Sequence, residues 1–318
     1  MAQRRSDIDE GVAAAIARIV ADHERGAAEL AESGVELLEE ACEQLAEAAR
    51  GPLAGATLLA GLKPVAACLL AARPSMAPIG NAALAFLAEL ERRAGKSRDC
   101  RRLRPWRAVR KRLESERRRN LERLVRAAAD VLLGLESVLT LSYSSTVMAV
   151  LERALDRSTC LVVAESRPRL EGRRVVEALL AQGREVRCIT DAELALFAAR
   201  TGALIIGADS VTSDLAVVNK VGSVAAAWGA RSASRPCYVA VDTSKIAPRV
   251  SAAEIEFEEK SGAEIWPERA EVCSNVYFEA VPAKLITAYL TERGVLNHDG
   301  MAAEVARMAR LHERRAGP

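Results

Sequence analysis

A chain of 318 residues with half its side chains hydrophobic holds enough apolar material for one large core or two ordinary ones, yet only 3% of it is aromatic. Packing therefore falls to alanine, leucine and valine, which suits helices and buried parallel strands and disfavours an aromatic-rich β-sandwich. The 45 basic and 43 acidic side chains leave a formal charge of +2, which excludes a chain-wide nucleic-acid signature.

The first residues, MAQRRSDIDEG, lack the apolar stretch of a secretory leader. Residues 7–24 repeat apolar positions every three or four residues, and residues 27–50 do the same, so both read as amphipathic helices. GPLAGA at 51–56 interrupts the pattern. Residues 52–72 are the most apolar window, but Lys63, Pro64 and glycines interrupt it, and no membrane span is expected. ARPSMAPIGN at 72–81 is a second break, and residues 82–93 resume the helical spacing. The run KSRDCRRLRPWRAVRKRLESERRRN at 96–120 is strongly basic. It reads either as an RNA-binding patch or as a solvated helical face packed against the rest, and the second is the ordinary fate of a charge run. Pro105 and Trp106 predict a bend with one anchoring side chain.

From residue 121 the character changes. LERLVRAAADVLLGLES is an amphipathic helix, after which strands and helices alternate. The spacing predicts strands at 138–143, 160–166, 185–190, 203–209 and 237–243, with helices at 144–157, 171–183, 191–201 and 219–232, Asp191 serving as an N-cap. A last helix is expected at 282–293, preceded by the apolar Tyr277, Phe278 and Val281, which suit either a core or a subunit interface. Continuous apolar strands between ten-residue helices indicate a parallel sheet covered on both faces. The expected fold is therefore α/β: a helical domain over 1–120, then a Rossmann-like doubly wound domain over 121–318 carrying the ligand site.

Right-handed crossovers place every strand-to-helix loop on one edge of such a sheet. That edge would carry Ser142 to Thr146, then Glu165, Ser166 and Arg167, then Asp191, then Asp209 with Asn219 and Lys220, and finally Asp242 to Lys245. A hydroxyl-rich turn leading into a helix can hold an oxyanion through free N–H groups, so Ser144 and Ser145 are candidate ligand contacts, unless they merely cap the helix. Arg167 could grip a phosphate bidentately, while Lys220 and Lys245 offer point charges. Asp209, directly after the apolar LIIGA, sits in partial burial and needs partners, for which Asn219 and Lys220 are the natural choice. No G-x-G-x-x-G follows a strand and no Walker A sequence occurs, so neither a nicotinamide nor a P-loop reading holds and no cofactor is expected. His23, His298 and His312 are far apart, which gives no metal site and no Ser-His-Asp triad. Seven cysteines without a C-x-x-C pair read as reduced thiols of a cytoplasmic protein.

These residues carry a resemblance. GAD-x(9)-NK-V-G-S at 207–223 is similar to the signature of the family that joins the alpha, beta and delta regulatory subunits of translation initiation factor 2B to two sugar-phosphate isomerases, which act on methylthioribose-1-phosphate and ribose-1,5-bisphosphate. AESRPRLEGRRVVEAL at 164–179, VLTLSYSSTVMAVLERAL at 138–155, NVYFEAVPAKLITAYLTERGVL at 275–296 and RPSMAPIGNA at 73–82 resemble further segments of that family.

The resemblance implies an aspartate at Asp209 that, in the isomerases, works with a cysteine in a T-H-C motif to move a proton between adjacent carbons. Here the cysteine position is Ser142 and the preceding histidine is Leu141. A serine hydroxyl is far less acidic than a thiol and does not shuttle protons without a base beside it. The isomerases' R-G-A-P-A-I-G phosphate segment has at best a remnant in GVAAAIARI at 11–19. The regulatory subunits likewise lack the cysteine. The expectation is a binder of a phosphorylated sugar or nucleoside monophosphate without cysteine-dependent chemistry. Its alternative is a divergent aldose-ketose isomerase, an intramolecular oxidoreductase using Asp209 as acid and base. A homodimer or higher homo-oligomer is implied by the family, and a nucleic-acid or translation partner rests only on the basic run and the family's name.

Overall fold

The computed structural model of the chain describes residues 10–22, 25–73, 76–257 and 259–316. Of the first expected helix, residues 7–9 and 23–24, His23 among them, lie outside the described residues, as do residues 74–75 of the second break. The described residues form two compact units, one running to Arg119 and rejoined by Leu311 onwards, the other spanning Asn120–Arg310.

The first unit is helical: α1 (Glu10–Ala21), α2 (Ala27–Ala48), α3 (Gly55–Ala72), α4 (Ala77–Ala94), the single turn α5 (Cys100–Leu103) and the start of α6 (Pro105–Leu132). Their apolar stripes meet at Leu30, Leu38, Leu58, Leu62, Ile79, Phe86 and Leu90, all fully buried. Helix α3 is long and apolar enough to cross a membrane, and here its Leu58, Leu62, Val65 and Leu69 are buried as it packs on α2 and α4. Arg104 adopts a left-handed φ of 41° and ends α5, Pro105 starts α6, and Trp106 is wholly buried, giving the bend and the anchor that the sequence suggests.

The basic run is paired within this unit. Arg110 meets Glu36, Glu39 and Glu114 at 2.7–3.0 Å, Arg104 and Arg107 share Glu43, and Arg117 reaches Glu32 at 2.9 Å. Arg92, Arg93 and Arg112 converge on Glu89, whose side chain is 10% exposed. Hydrogen bonds, from Arg92 first, outweigh burial and hold the Glu89 carboxyl at about 2. Because that value lies below the unfolded one, the stabilisation is complete above about pH 4.5 and is lost as the pH falls towards 2. A shift of that size is worth at most about 3 kcal/mol, and solvent screening at the exposed arginines trims it to ~2 kcal/mol. Glu89→Gln is therefore expected to lower the melting temperature at neutral pH, with the gap to the parent narrowing below about pH 4.5 and closing towards about pH 2. A gap that persists unchanged in acid would assign the effect to packing instead.

The second unit runs α6, β1 (Ser137–Leu141), α7 (Ser145–Arg153), β2 (Cys160–Ala164), α8 (Glu171–Ala181), β3 (Val186–Ile189), α9 (Leu194–Ala198), β4 (Ala203–Ile206), β5 (Ser210–Val211), β6 (Val217–Lys220), α10 (Ser223–Ser232), β7 (Cys237–Ala240), β8 (Phe278–Val281), β9 (Ala288–Thr291), β10 (Gly294–Leu296) and α11 (His298–Ala316). The main sheet has the order β3-β2-β1-β4-β7-β9-β10, parallel except for β10. Leu139, Leu141, Leu204 and Ile206 face α9, α10 and α11, while Val138, Leu161, Val163 and Ile205 face α6, α7 and α8. This is the doubly wound arrangement expected from the continuous apolar strands.

Two elements differ from the sequence reading. Asn219 and Lys220 end strand β6 of a small antiparallel sheet, β5-β6-β8, and the helix starts only at Ser223. Gly222, at φ 104°, makes the turn between them. The helix expected at 282–293 is a 3-10 turn followed by the β9–β10 hairpin. Leu285, Ile286, Tyr289 and Leu290 mimic helical spacing, but the β-formers of Ala-Tyr-Leu-Thr pair with β7, and Gly294 at φ 109° reverses the chain. Tyr277 and Val281 are buried in the subunit itself, so the core reading holds for them.

Candidate functional site

The strand order reverses between β1 and β4, where adjacent crossovers leave in opposite directions and open a crevice at the carboxyl edge. Register brings Leu141 level with Ala164, and Leu139 level with Leu204, so Ser142, Glu165 and Gly207 leave the sheet together. Gly207 is required there because a methyl on it would stand 2.9 Å from Ser144 Oγ. The end of β4 thus passes in contact with the start of α7.

Each residue singled out from the sequence has a definite place. Ser142 is half-buried at φ 59°, and its amide donates to Ser166 Oγ at 2.7 Å. Ser144 caps α7, its Oγ accepting from the Val147 amide at 3.4 Å, so for this residue the capping reading holds. Ser145 is exposed at the first helical position. Neither its N–H nor that of Thr146 has an acceptor among the described residues. Arg167 is exposed, and its amide donates to Asp191 Oδ2 at 2.6 Å. Asp209 is half-buried, its amide donating to the Val218 carbonyl at 2.8 Å. The Asn219 amide nitrogen donates to Ser223 Oγ at 2.9 Å.

Two ammonium groups are buried at this edge. Lys245, 5% exposed, donates to the Ala208 carbonyl at 2.6 Å and so braces the peptide ahead of Asp209. Lys220, 3% exposed, is 3.2 Å from Glu171 Oε1 and 4.3 Å from the centre of the Tyr277 ring. Tyr277 in turn bonds Glu264. Burial first, then that bond, pushes the Tyr277 hydroxyl up to about 12. Burial pushes Glu264 up, but hydrogen bonds from Tyr277 and Asn275 and the charges of Arg169 and Lys220 outweigh it and hold the carboxyl below its usual range. Glu171 Oε2 is buried with no hydrogen-bond partner among the described residues.

Other loop amides at the edge are met by carboxylates of the chain itself. Asp191 is not the expected N-cap; Thr190 takes that position, and Asp191 accepts the amides of Ser166 and Arg167 at 2.8 and 2.6 Å. Glu279 Oε1 accepts the amides of Gly222 and Val224 at 2.7 and 2.8 Å, filling the start of α10. Glu292 accepts the Thr243 amide and hydroxyl at 3.1 and 2.5 Å. Sequence reasoning missed Glu171, Tyr277, Glu279 and Glu292, because three of them come from segments far along the chain and none belongs to a loop directly after a main-sheet strand that the pattern had exposed. Of the histidines, His298 bonds the Ala283 carbonyl and His312 bonds Asn81. Among the described residues no group of His, Cys, Asp and Glu could hold a metal ion.

Comparison with known proteins supplies the remaining findings. A sequence model of the Initiation factor 2 subunit family matches residues 23–298. The chain is 37% identical over 161 residues to a translation initiation factor eIF-2B subunit 2-like protein of Pyrococcus furiosus, covering 50% of this chain and 57% of that one. It is 30% identical over 167 residues to the ribose 1,5-bisphosphate isomerase of Archaeoglobus fulgidus, covering 50% and 53%. The chain thus spans about half the length of the curated relatives it matches. The fold matches a crystal structure of translation initiation factor eIF-2B from Pyrococcus horikoshii with a TM-score of 0.74 at 25% identity, covering 92% of this chain and 98% of that one. It also matches the 5-methylthioribose 1-phosphate isomerase of that organism, with a TM-score of 0.70 at 21% identity and coverage of 94% and 88%.

Proposed function

Given that this chain belongs to the Initiation factor 2 subunit family, we propose that its sheet edge binds a phosphorylated sugar or nucleoside monophosphate and holds it without isomerising it. The observation that carries the reading is a pair of complementary gaps on one edge. Among the described residues the amides of Ser145 and Thr146 at the start of α7 lack acceptors, and Glu171 Oε2 is a buried acceptor lacking a donor. A phosphate supplies the acceptors that the amides need, strengthened by the helix dipole. A sugar hydroxyl supplies the donor that Glu171 needs. Arg167 and the buried Lys220 and Lys245 provide positive potential at the same edge.

Ser142 stands where the resembling isomerases carry a cysteine, and no histidine reaches the edge among the described residues. An unassisted serine hydroxyl is a poor proton shuttle. The alternative, an aldose-ketose isomerase using Asp209 as acid and base, keeps one specific support in the half-buried carboxylate at the switch point. We further place the protein in the cytoplasm as a homodimer or larger homo-oligomer. Its cysteines are all unpaired thiols, and Leu196, Val221 and Trp228 leave apolar surface exposed on and just ahead of the packed pair α9 and α10.

Ser145→Pro tests the reading. Proline is tolerated at the first helical position, and Ser144 already has the extended backbone that precedes a proline. The variant removes one N–H donor and leaves the fold intact. The expected result is an unchanged melting temperature without ligand, and about tenfold weaker binding of ribose-5-phosphate or adenosine monophosphate by calorimetry. Equal affinity in parent and variant would remove the phosphate from α7. Turnover of ribose-1,5-bisphosphate that disappears in Asp209→Asn would replace the non-catalytic reading with the isomerase one.

A further inference from the structure

An aromatic side chain stands at the start of α7. Tyr143 directly precedes the cap Ser144, so its Cα is no more than about 7.6 Å from that of Ser145. Of the four tyrosines it alone is exposed, at 40%, whereas Tyr277 and Tyr289 are buried and Tyr238 is half-buried. The Arg174 guanidinium lies over its ring, 4.6 Å from the centre. Glu171 and Glu177 stand three residues either side of Arg174 on α8, yet among the described residues neither pairs with it. A guanidinium laid on an exposed ring in preference to nearby carboxylates makes a flat, positively charged platform. The same contact fixes where the platform lies. Residues one turn apart on a helix hold their Cβ atoms about 5–6 Å from each other, so Arg174 shares a face of α8 with Glu171. Glu171 carries the buried oxygen that lacks a donor. Tyr143 therefore joins the amide-bearing start of α7 to the face of α8 that presents Glu171.

We propose that Tyr143, backed by Arg174, is a stacking platform for a nucleobase, which makes the edge selective for a nucleoside monophosphate over a bare sugar phosphate. The proposal rests on the reading of the α7 edge given above and narrows its ligand class. A nucleoside monophosphate carries three groups in series, and this corner of the sheet answers each. The phosphate meets the Ser145 and Thr146 amides, a ribose hydroxyl meets Glu171 Oε2, and the base lies against Tyr143 and Arg174. A sugar phosphate answers the first two and leaves the platform in water. Every base has a π-face, and both tyrosine rings and arginine planes stack on it without needing a matched set of hydrogen bonds.

Adenosine monophosphate and ribose-5-phosphate share the phosphate and the ribose and differ by the base, so calorimetry of the two on the full chain isolates the platform. The parent is expected to bind adenosine monophosphate at least about tenfold tighter than ribose-5-phosphate. Tyr143→Leu keeps an apolar side chain without a π-face. It is expected to lose that preference, with the affinity for ribose-5-phosphate and the melting temperature unchanged. Tyr143→Phe keeps the ring and should keep the preference, while Arg174→Ala should reduce it about threefold. Equal affinity of the parent for the two ligands overturns the proposal and leaves the α7 reading standing. A parent that prefers ribose-1,5-bisphosphate to adenosine monophosphate, and loses that preference in Arg174→Ala, also overturns it, because Arg174 then serves a second phosphate. If Tyr143→Leu weakens both ligands alike, Tyr143 shapes the start of α7 and stacks on nothing, and the proposal fails. Binding of neither ligand removes the α7 reading and the base selectivity with it.

Discussion

Gly172→Ala is expected to remove several kcal/mol of stability from the sheet-bearing unit, the largest loss from adding a single methyl at this edge. An alanine Cβ at this position would lie 1.8 Å from the Ala164 carbonyl oxygen and 2.9 Å from its carbon. Both are backbone atoms of the β2 end, which is pinned by pairing with β1 on one side and β3 on the other. The helix must give way instead. Tilting α8 outwards lifts Val175 and Leu179, which are 2% and 0% exposed, and stretches the 3.1 Å bond from the Gly172 amide to Glu165. Re-exposing even half of those two side chains costs about 2 kcal/mol, and the lost bond adds ~1 kcal/mol. The expected drop in melting temperature is about 10 °C by calorimetry. Gly183→Ala is the control. Its φ of 71° is left-handed but nothing lies within 4 Å of the added methyl, so about 1 kcal/mol of backbone strain is all it should cost. If the two variants lose equally, close approach is not what makes Gly172 necessary.

That glycine marks how far the sequence could be read. The E-S-R-P-R-L-E-G stretch fixed a turn and a helix after β2, but not why the eighth residue is glycine, because the obstacle is a carbonyl of the preceding strand seen only once the helix is docked. The parallel sheet was legible because buried parallel strands are apolar throughout, and β1, β2, β4 and β7 all have that composition. The region after 275 was not legible, since the spacing of Leu285, Ile286, Tyr289 and Leu290 serves a helix or a hairpin and only pairing with β7 decides it. The same limit applies to the site. Loops following main-sheet strands could be listed in order and brought out Ser142, Arg167, Asp209 and Lys245. Asn219 and Lys220 were found for a helix start that is in fact the end of β6. Glu279 arrives on β8, from a second sheet that no local pattern announced, and it takes the amides of Gly222 and Val224 at the start of α10.

Lys220→Met is expected to be the most damaging single change to ligand binding, and the manner of its damage is informative. Methionine fills most of the lysine stem and keeps the contact with the Tyr277 ring, but it removes the ammonium 3.2 Å from Glu171. Glu171 Oε2 already lacks a partner, so the variant leaves both carboxylate oxygens unanswered in a side chain that is 23% exposed. Removing one member of a buried ion pair costs ~3–5 kcal/mol, and partial exposure of Glu171 lowers this to ~2–3 kcal/mol. Adding Glu171→Leu to Lys220→Met should restore most of that stability in urea denaturation, because two apolar side chains replace an incomplete pair. Binding should not return. The double variant lacks both the positive charge that favours the phosphate and the acceptor that the sugar hydroxyl needs, and a loss of at least about a hundredfold in affinity for ribose-5-phosphate follows if the two contribute independently. Recovery of stability and binding together would mean that Lys220 and Glu171 only hold β6 against α8, and would move the ligand away from them. Recovery of stability alone separates the two roles of this buried pair, one in joining the small sheet to the main one and the other in meeting the ligand.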